Sequence, residues 1–559
     1  MRWSTLRSPL WVGRIVSLVG LVTLLSALLP EVRSRMDLVN EMVPDVYPAA
    51  ATTGAAAVGV ILILLSRALR RGKFRAWLLA TVLAGLAVGL HILKGLDVEE
   101  AAMCLVVFML LLSARRNFTA RPDPRSLGRL LAAVCIGTVT ATALGYLWLA
   151  VDGDGQLPGT TQVDRVVQAF VGLVGLPGPV VFVSQNASNR AAVALVVLGA
   201  SVLFVAVLLG LQPAGGPHPM TPTEQLKVRT ILDTWGAGDS LAYFGLRGDR
   251  SVIFSASGKS AVTYRVVGTV SLVAGDPIGD PEAWPGAIQV WLNEATSFGW
   301  VPAVIGASER GAAAYHRAGL QVLEFGDEAI LHADDFTLEG RNMRAVRQAV
   351  ARSSRAGISV CCRRVRDLDV ETLRQVREKV DAWREGPVER GFSMALGRLG
   401  ADEDPQALLV LATEGDRLVG LLHFVPWGNE GLSLDLMRRD RDAENGVIEA
   451  MVAALMAVAP SFGIRRVSLN FAVFRSVFAR GERLGAGPAL RAWRAILLWA
   501  SRFWQIESLY RANAKYQPEW LPRYVAYPSP SDIPRVATAA LRAEAFLVAP
   551  AWLRKLGGP

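Results

Sequence analysis

Cysteine and histidine are scarce here, with four of the one and five of the other in 559 residues. Cys104 and Cys135 sit inside apolar runs, and Cys361 and Cys362 are adjacent, so neither a CxxC pair nor a disulfide framework exists. The histidines form no HExxH motif and no paired His/Cys spacing, so no metal site is expected. A glycine-rich phosphate cradle is also missing. The junction "LDLMRRDRDAENGVIEAM" (434–451) passes from a strand pattern to a helix pattern with one glycine, Gly446, among Asp440, Asp442 and Glu444. A pyrophosphate is held at a helix start by backbone N–H groups that glycines expose. Carboxylates there repel it. Coenzyme A is therefore disfavoured, and no cofactor is expected.

Long apolar runs are abundant. Hydrophobic residues make up 52% of the chain, and the mean hydropathy is +0.33. Up to Leu211 they come in runs; beyond it they are periodic and interrupted. A bilayer-crossing helix needs roughly 17–25 residues. Six runs qualify as candidates: 12–30, 49–66, 76–93, 98–114, 130–151 and 191–211. The run at 166–184 is broken by "PGP" and reads as an interfacial or re-entrant piece. The first run lacks a clear cleavage site and more spans follow it, so it is not read as a signal peptide. "RALRRGKFR" (67–75) carries five basic residues and no acid, while the intervening loops are acidic or balanced. The positive-inside rule then places the N-terminus in the cytoplasm, and six crossings return the chain there. Residues 1–211 carry a net charge of +7 and the remainder +3, so the basic balance lies mostly in membrane loops. Topology alone explains it; attraction to anionic headgroups would add to it.

Residues 212–224, "QPAGGPHPMTPTE", form a Pro/Gly-rich linker. Residues 225–360 then show three strand patterns ("SVIFSAS", "AVTYRVVG", "TVSLVAGDP"), a helix pattern and the strand "VPAVIGAS". Residues 361–550 repeat the order: a helix at 368–385, strands "ALLVLATE", "RLVGLLHFVPW" and "GLSLDLMRR", the helix from Gly446, and the strand "RRVSLNFAV". Hairpin strands, then a helix, then a strand is the acetyltransferase-like core order. The fold expected is an α-helical membrane domain of about six spans (1–211) followed by a tandem α+β acetyltransferase-like domain of the GNAT and FemX kind. Such a fold does not fix a function.

The stretch "GRNMRAVRQAVARSSRAG" (340–357) supplies a partner. At helical spacing, Arg341, Arg344, Arg347, Arg352 and Arg355 fall on one face and Met343, Val346 and Val350 on the other. Guanidinium groups bind phosphate bidentately, so the stripe suits a nucleic-acid backbone. A solvated basic face, or one leaning on anionic lipid, has the same spacing.

Several stretches together resemble the phosphatidylglycerol lysyltransferases, the multiple-peptide-resistance-factor family. They are "GDPIGD" (275–280), "GFSMALGRLG" (391–400), "LDLMRR" (434–439), "NGVIE" (445–449), "SLNFAVFR" (468–475) and "YRANAKYQPEWLPRY" (510–524). The resemblance covers about residues 225–550; the membrane half matches in general layout. It implies that lysine moves from lysyl-tRNA to a glycerol hydroxyl of phosphatidylglycerol at the bacterial cytoplasmic membrane. The product is a cationic lipid, which repels cationic antimicrobial peptides. The carrier would be aminoacyl-tRNA, so no coenzyme A loop is needed. The sequence stops at "AWLRKLGGP" without a synthetase module, so a separate lysyl-tRNA synthetase is expected as supplier. Long members, with many more spans, are implied to flip the product; about six spans do not lead us to expect it here.

The resemblance also assigns residues. Asp435 and Arg438 match a D-x-x-R element: Asp435 for the lysyl ammonium or the lipid hydroxyl, Arg438 for phosphate. A strand alternates faces, so the two point oppositely unless a bulge or helical turn intervenes. An ion pair with a structural role has the same signature. Lys515 and Tyr516 match a K-Y-x-P-x-W element. Lys515 would stabilise an oxyanion or hold the terminal tRNA phosphate; Tyr516 would line the substrate site. Asn470 sits on an apolar strand, where a buried amide serves a hydrogen-bond network or a site. Glu389, just before glycines that permit close backbone approach, would recognise the cationic amino acid or simply face solvent. His423 reads as a core residue, and Cys361 and Cys362 as structural.

Three other readings stay open. The amino acid could be alanine or another. The protein could be a non-catalytic membrane scaffold, although Asp435, Arg438 and Lys515 are all present. It could be an ordinary acyl-coenzyme A transferase, which the missing cradle argues against. The stretch 539–556 mixes apolar and basic residues, a pattern that suits the bilayer surface or packing against the transferase domain. Self-association into a homo-oligomer is left open.

Overall fold

The computed structural model describes residues 8–28, 48–70, 72–95, 98–118, 126–151, 155–210, 216–384, 391–473 and 512–547. The chain divides into two compact units, Met1–Gly215 with Thr296–Gly299, and Gly216–Ala295 with Trp300–Pro559.

The first unit is helical: α1 (Pro9–Leu28), α2 (Pro48–Leu69), α3 (Phe74–Gly95), α4 (Val98–Ser113), α5 (Ser126–Val151), α6 (Gln162–Gly172) and α7 (Gln185–Gly210). Where α1 crosses α2, a Cβ on Gly20 would lie 2.8 Å from the Gly59 carbonyl oxygen, and one on Gly59 would lie 2.8 Å from that of Gly20. Small residues let helix backbones meet closely, which is how helices associate where lipid removes the hydrophobic drive. Five helices among the described residues are long and apolar enough to cross a membrane: Pro9–Ala27, Ala50–Leu69, Phe74–Ile92, Leu130–Val151 and Gln185–Leu209. The sixth expected run, 98–114, forms α4, which has 16 residues and opens on Glu99 and Glu100. At about 1.5 Å per residue it is roughly 24 Å long, short of a ~30 Å hydrocarbon core. The broken run at 166–184 becomes the end of α6 and an extended return that bridges Gln156 to Phe182. Thr161 and Asp164 close a capping box on α6, and its outer side exposes Val163, Val167 and Phe170.

The second unit is built on one 12-stranded sheet. Its first module runs α8 (Pro222–Trp235), β1 (Ser251–Phe254), β2 (Ser260–Val267), β3 (Val270–Ala274), β4 (Ile278–Gly279), α9 (Trp284–Phe298), β5 (Val301–Ala307), α10 (Glu309–Arg317) and β6 (Gln321–His332). Next come α11 (Arg344–Arg355), β7 (Ile358–Arg364), α12 (Val370–Ala382), β8 (Leu408–Glu414), β9 (Arg417–Trp427), β10 (Gly431–Arg439), α13 (Val447–Val458), β11 (Arg466–Val473), β12 (Glu519–Tyr527) and α14 (Ile533–Ala543). The strand order is β1-β2-β3-β5-β12-β6-β11-β10-β9-β8-β7, with β4 beside β2. Each module therefore gives its last strand to the other. β12 pairs β5 of the first module, and β6 pairs β11 of the second.

Alternating side chains put helices on both faces of the second module. Leu422, Phe424 and Leu434 pack with Val447, Met451 and Leu455 of α13. Leu409, Leu411 and Leu421 pack with Leu373, Val376 and Val380 of α12.

Candidate active site

Each module contains a pair of parallel strands, and the two pairs end differently. In the first, β3 and β5 stay in register from Val270↔Val301 to Ala274↔Ile305. Beyond that the gap is closed. Gly275 N donates to Ile305 O at 2.9 Å, and Asp276 accepts from Ser308 N at 2.8 Å and Ser308 Oγ at 2.5 Å. In the second module, β10 and β11 pair through only three residues, Gly431↔Arg466 to Ser433↔Ser468, and then separate. Both strands are irregular at this level: β10 shifts register against β9 between Leu434 and Leu436, and β11 shifts against β6 between Ser468 and Phe471. The result is a fork. Asp435 and Asn470 each stand two residues past the last pair.

The bulge settles the direction of the D-x-x-R pair. Leu436 lies opposite His423, and Arg438 lies opposite Leu421. Directly opposed residues share a face, so Arg438 is on the face of Leu421 and His423. Asp435 is the extra residue of the bulge, and its side chain reaches the same face. Its Oδ2 accepts from His423 Nδ1 at 2.6 Å, with both side chains buried. Its Oδ1 accepts from Leu396 N at 2.5 Å. A bulge re-aims a side chain in this way, so Asp435 and Arg438 fall on one side.

Leu396 belongs to "GFSMALGRLG", which lies over Asp435 as a loop. Gly391 and Gly397 adopt φ of 110° and 78°, and Glu544 pins the loop by accepting from Phe392 N at 2.6 Å and Ser393 N at 3.0 Å. His423 was read as a core residue. It is buried, but a core role does not account for its contact with Asp435. As the carboxylate is an acceptor, Nδ1 carries a proton. Nε2 has no partner among the described residues, and such a group costs on the order of 1–3 kcal/mol. A sequence signal for it existed: His423 breaks the inward apolar series Leu421, Val425.

The other flank of the fork holds the Lys515 segment. Asn513 Nδ2 donates to Leu469 O at 3.2 Å, taking a carbonyl beyond the last β10–β11 pair. Lys515 Nζ bonds Glu449 Oε1 at 2.6 Å in the first turn of α13, both groups about a quarter exposed. Asn470 has φ 71°, and its Oδ1 has no partner among the described residues. The same holds for the Tyr516 hydroxyl, whose pKa is pushed up by burial and then by Glu449. Strained backbone and unsatisfied polar atoms gather at functional sites. The sequence reading did not single out Glu449 or Asn513; Glu449 is a lone carboxylate at a helix start, indistinguishable there from an ordinary N-terminal charge.

Gly446 serves packing. Its φ is 112°, and a Cβ there would lie 2.9 Å from Ala349 O of α11. The glycine lets α11 and α13 meet.

The basic stripe is shorter than its spacing suggested. Arg341 precedes α11, which begins at Arg344. Arg347 folds back to donate to Leu338 O and, at 2.7 Å, to Gly340 O. Arg344, Arg352 and Arg355 are exposed, while Met343, Val346 and Ala349 are buried. Glu389 lies outside the described residues.

Beneath the fork runs a buried ionic network. Arg523 of β12 donates to Glu328 of β6 at 2.5 Å, to Asp239 at 2.7 Å and to Ser240 Oγ at 2.6 Å. Ser468 Oγ bonds Glu328, and Ser433 Oγ donates to Ser240 O at 2.8 Å. The last paired residues of the fork are thus tied to the first module. Asp239 also lines a cleft of about 440 Å³ on that module, with Trp235, Asp280, Trp284 and Arg310.

The family model described as "Phosphatidylglycerol lysyltransferase, C-terminal" matches residues 229–527, more than half of the chain. The chain belongs to the phosphatidylglycerol lysyltransferase family. A second model, "Transmembrane region of lysyl-tRNA synthetase", matches residues 4–209; with the apolar helices, it makes this family member a membrane protein. The lysylphosphatidylglycerol biosynthesis bifunctional protein LysX of Mycolicibacterium vanbaalenii is 41% identical over 562 residues, covering 97% of this chain and 50% of the relative. That of Mycolicibacterium gilvum is 42% identical over 554 residues, with the same coverage. The chain spans about half the length of the curated relatives it matches. The solved structure of L-PGS from Bacillus licheniformis has a TM-score of 0.51 at 23% identity, over 59% of this chain and 98% of that one. That likeness is one of fold, and it agrees with the tandem acetyltransferase-like architecture of this lysyltransferase-family domain.

Proposed function

We propose that this chain transfers lysine from lysyl-tRNA to phosphatidylglycerol at the cytoplasmic face of the membrane. The observation that carries the reading is the open fork of the second module, with Asp435 fixed at its mouth, where the first module is closed. Family membership gives the reaction class. In that reaction a glycerol hydroxyl attacks the carbonyl of the aminoacyl ester, a new C–O bond forms, and the ester C–O bond to the tRNA breaks. The hydroxyl proton ends on the departing ribose oxygen. The ester is already activated, so orientation and oxyanion stabilisation supply the rate.

The residues divide this work. Asp435 holds the lysyl ammonium or the attacking hydroxyl. A carboxylate has about four acceptor sites; two are taken by His423 and Leu396, and two remain. Lys515 has three N–H donors, one committed to Glu449, so others can meet an oxyanion or phosphate. Arg438 takes a phosphate, and Asn470 and Tyr516 line the substrate side. Arg344, Arg352 and Arg355 track the tRNA backbone. The donor comes from a lysyl-tRNA synthetase, and the product is a cationic lipid that repels cationic peptides.

The test is lipid extraction from a host that lacks aminoacylated phosphatidylglycerol, expressing the full chain or its Asp435→Ala variant. Mass spectrometry is expected to show lysyl-phosphatidylglycerol for the wild type and none for the variant at equal membrane levels. An alanyl or other aminoacyl mass would keep the mechanism and change the donor. No new lipid from a well-expressed chain would sink the proposal.

A further inference from the structure

We infer that His423 is a positioning residue for the transfer: its Nδ1–H holds the Asp435 carboxylate in the orientation the reaction uses. The inference rests on the role given to Asp435 above. Asp435 is the bulged residue of β10 and has no opposite residue on β9, so the strand ladder alone does not fix its side chain. Two donors do, Leu396 N at 2.5 Å and His423 Nδ1 at 2.6 Å. Leu396 belongs to a loop, whereas His423 sits on β9, paired on one side with Leu436 of β10 and on the other with Leu409 of β8. The imidazole is therefore the rigid member of the pair. Its neighbours two residues away on the same face are Leu421 and Val425, both fully buried, so packing alone would be met by another aliphatic residue. The ring makes one hydrogen bond among the described residues, and that bond goes to Asp435.

Two amide substitutions separate the nitrogens. His423→Asn places its amide near the position of Nδ1 and can still donate to Asp435. His423→Gln places its amide near the position of Nε2. The full-length variants are assayed with lysyl-tRNA and phosphatidylglycerol vesicles, and thermal midpoints confirm that both fold. His423→Gln is expected to lose on the order of 10²-fold in kcat, the scale of a small misplacement at a reacting group, with KM for both substrates little changed. His423→Asn is expected to recover most of that loss. Equal loss in both variants would overturn the inference, because the Nδ1 donor that His423→Asn keeps would then not be what the reaction needs. No loss in His423→Gln would reduce His423 to packing and overturn it equally. A wild type that transfers no amino acid would instead defeat the transferase reading, and this inference with it; the wild-type control keeps the two failures apart.

Discussion

Asp276 and Asp435 stand just past the parallel pairing in their modules, and their surroundings differ. Asp276 is buried against Ser308 and close to Asp239, and its pKa is pushed up to about 7, by burial first and by the Asp239 charge second. The native state therefore holds a proton that the unfolded chain releases near 3.8. Stability from this group is fully present below that value and is lost as pH rises through about 7. Asp276→Asn mimics the protonated acid and cannot ionise. Its stability relative to wild type should rise between about pH 4 and pH 8, by roughly 1–4 kcal/mol at the upper end. Thermal melts of the two proteins across that range check it; parallel curves would show that Asp276 does not titrate there. The residues of the fork in the second module were partly legible in the sequence. Asp435, Arg438 and Lys515 stood in motifs. That Asp435 and Arg438 share a face was not legible, because a two-residue period has no place for a bulge. His423 was passed over because a lone histidine on an apolar strand has no local partner, and its partner appears only when β9 and β10 pair.

At the scale of elements, strand exchange makes two modules one sheet. The hydrophobic alternation marked β1, β2, β3 and β5 of the first module and β8 to β11 of the second, but not β4, β6, β7 or β12, and α8 and α10 were not marked either. The exchange was not legible, since β12 and β6 meet through residues far apart in sequence; Arg523 and Glu328 are separated by 195 positions. Arg523 joins Glu328 and Asp239 with all three side chains at most about 5% exposed. Removing one partner of such a cluster leaves uncompensated buried charge and costs about 3–5 kcal/mol, whereas replacing charges on both sides with apolar groups is often far milder. Arg523→Met should therefore lower the thermal midpoint of the full chain sharply. Adding Glu328→Leu should recover part of the loss. A single variant that melts like wild type would show that the network does not join β12 to β6 energetically. Gly446 belongs to this scale too. Its place in the sequence suggested a helix start, and it is the N-cap residue of α13; it also lets α11 and α13 meet.

At the scale of the whole molecule, the count of crossings decides on which side of the membrane the transfer domain lies. The proposed reaction needs that domain in the cytoplasm, where aminoacyl-tRNA is. The positive-inside rule leads us to expect the N-terminus there as well, which would require an even number of crossings. Five helices among the described residues meet the length and hydropathy of a span, so α4 carries the parity. It buries Ala101, Cys104, Val107 and Leu111 and exposes Leu105, Val106, Met109 and Leu112. One side thus suits helix packing and the other suits lipid. Bilayers thin locally around a short span at a modest cost, fractions of a kcal/mol per Å of mismatch. We therefore expect α4 to cross. With Cys135→Ser and Cys362→Ser in place, the chain carries a reporter for this: Cys361 is an exposed free thiol on β7, in the second unit, while Cys104 is buried. A membrane-impermeant maleimide applied to intact cells should leave Cys361 unlabelled and should label it once the membrane is opened. A cysteine added as Ser8→Cys, at the start of α1, should behave the same way. If Ser8→Cys labels in intact cells while Cys361 does not, the number of crossings is odd and α4 stays out of the bilayer. If Cys361 labels in intact cells, the domain faces away from the tRNA pool and the proposed donor is wrong.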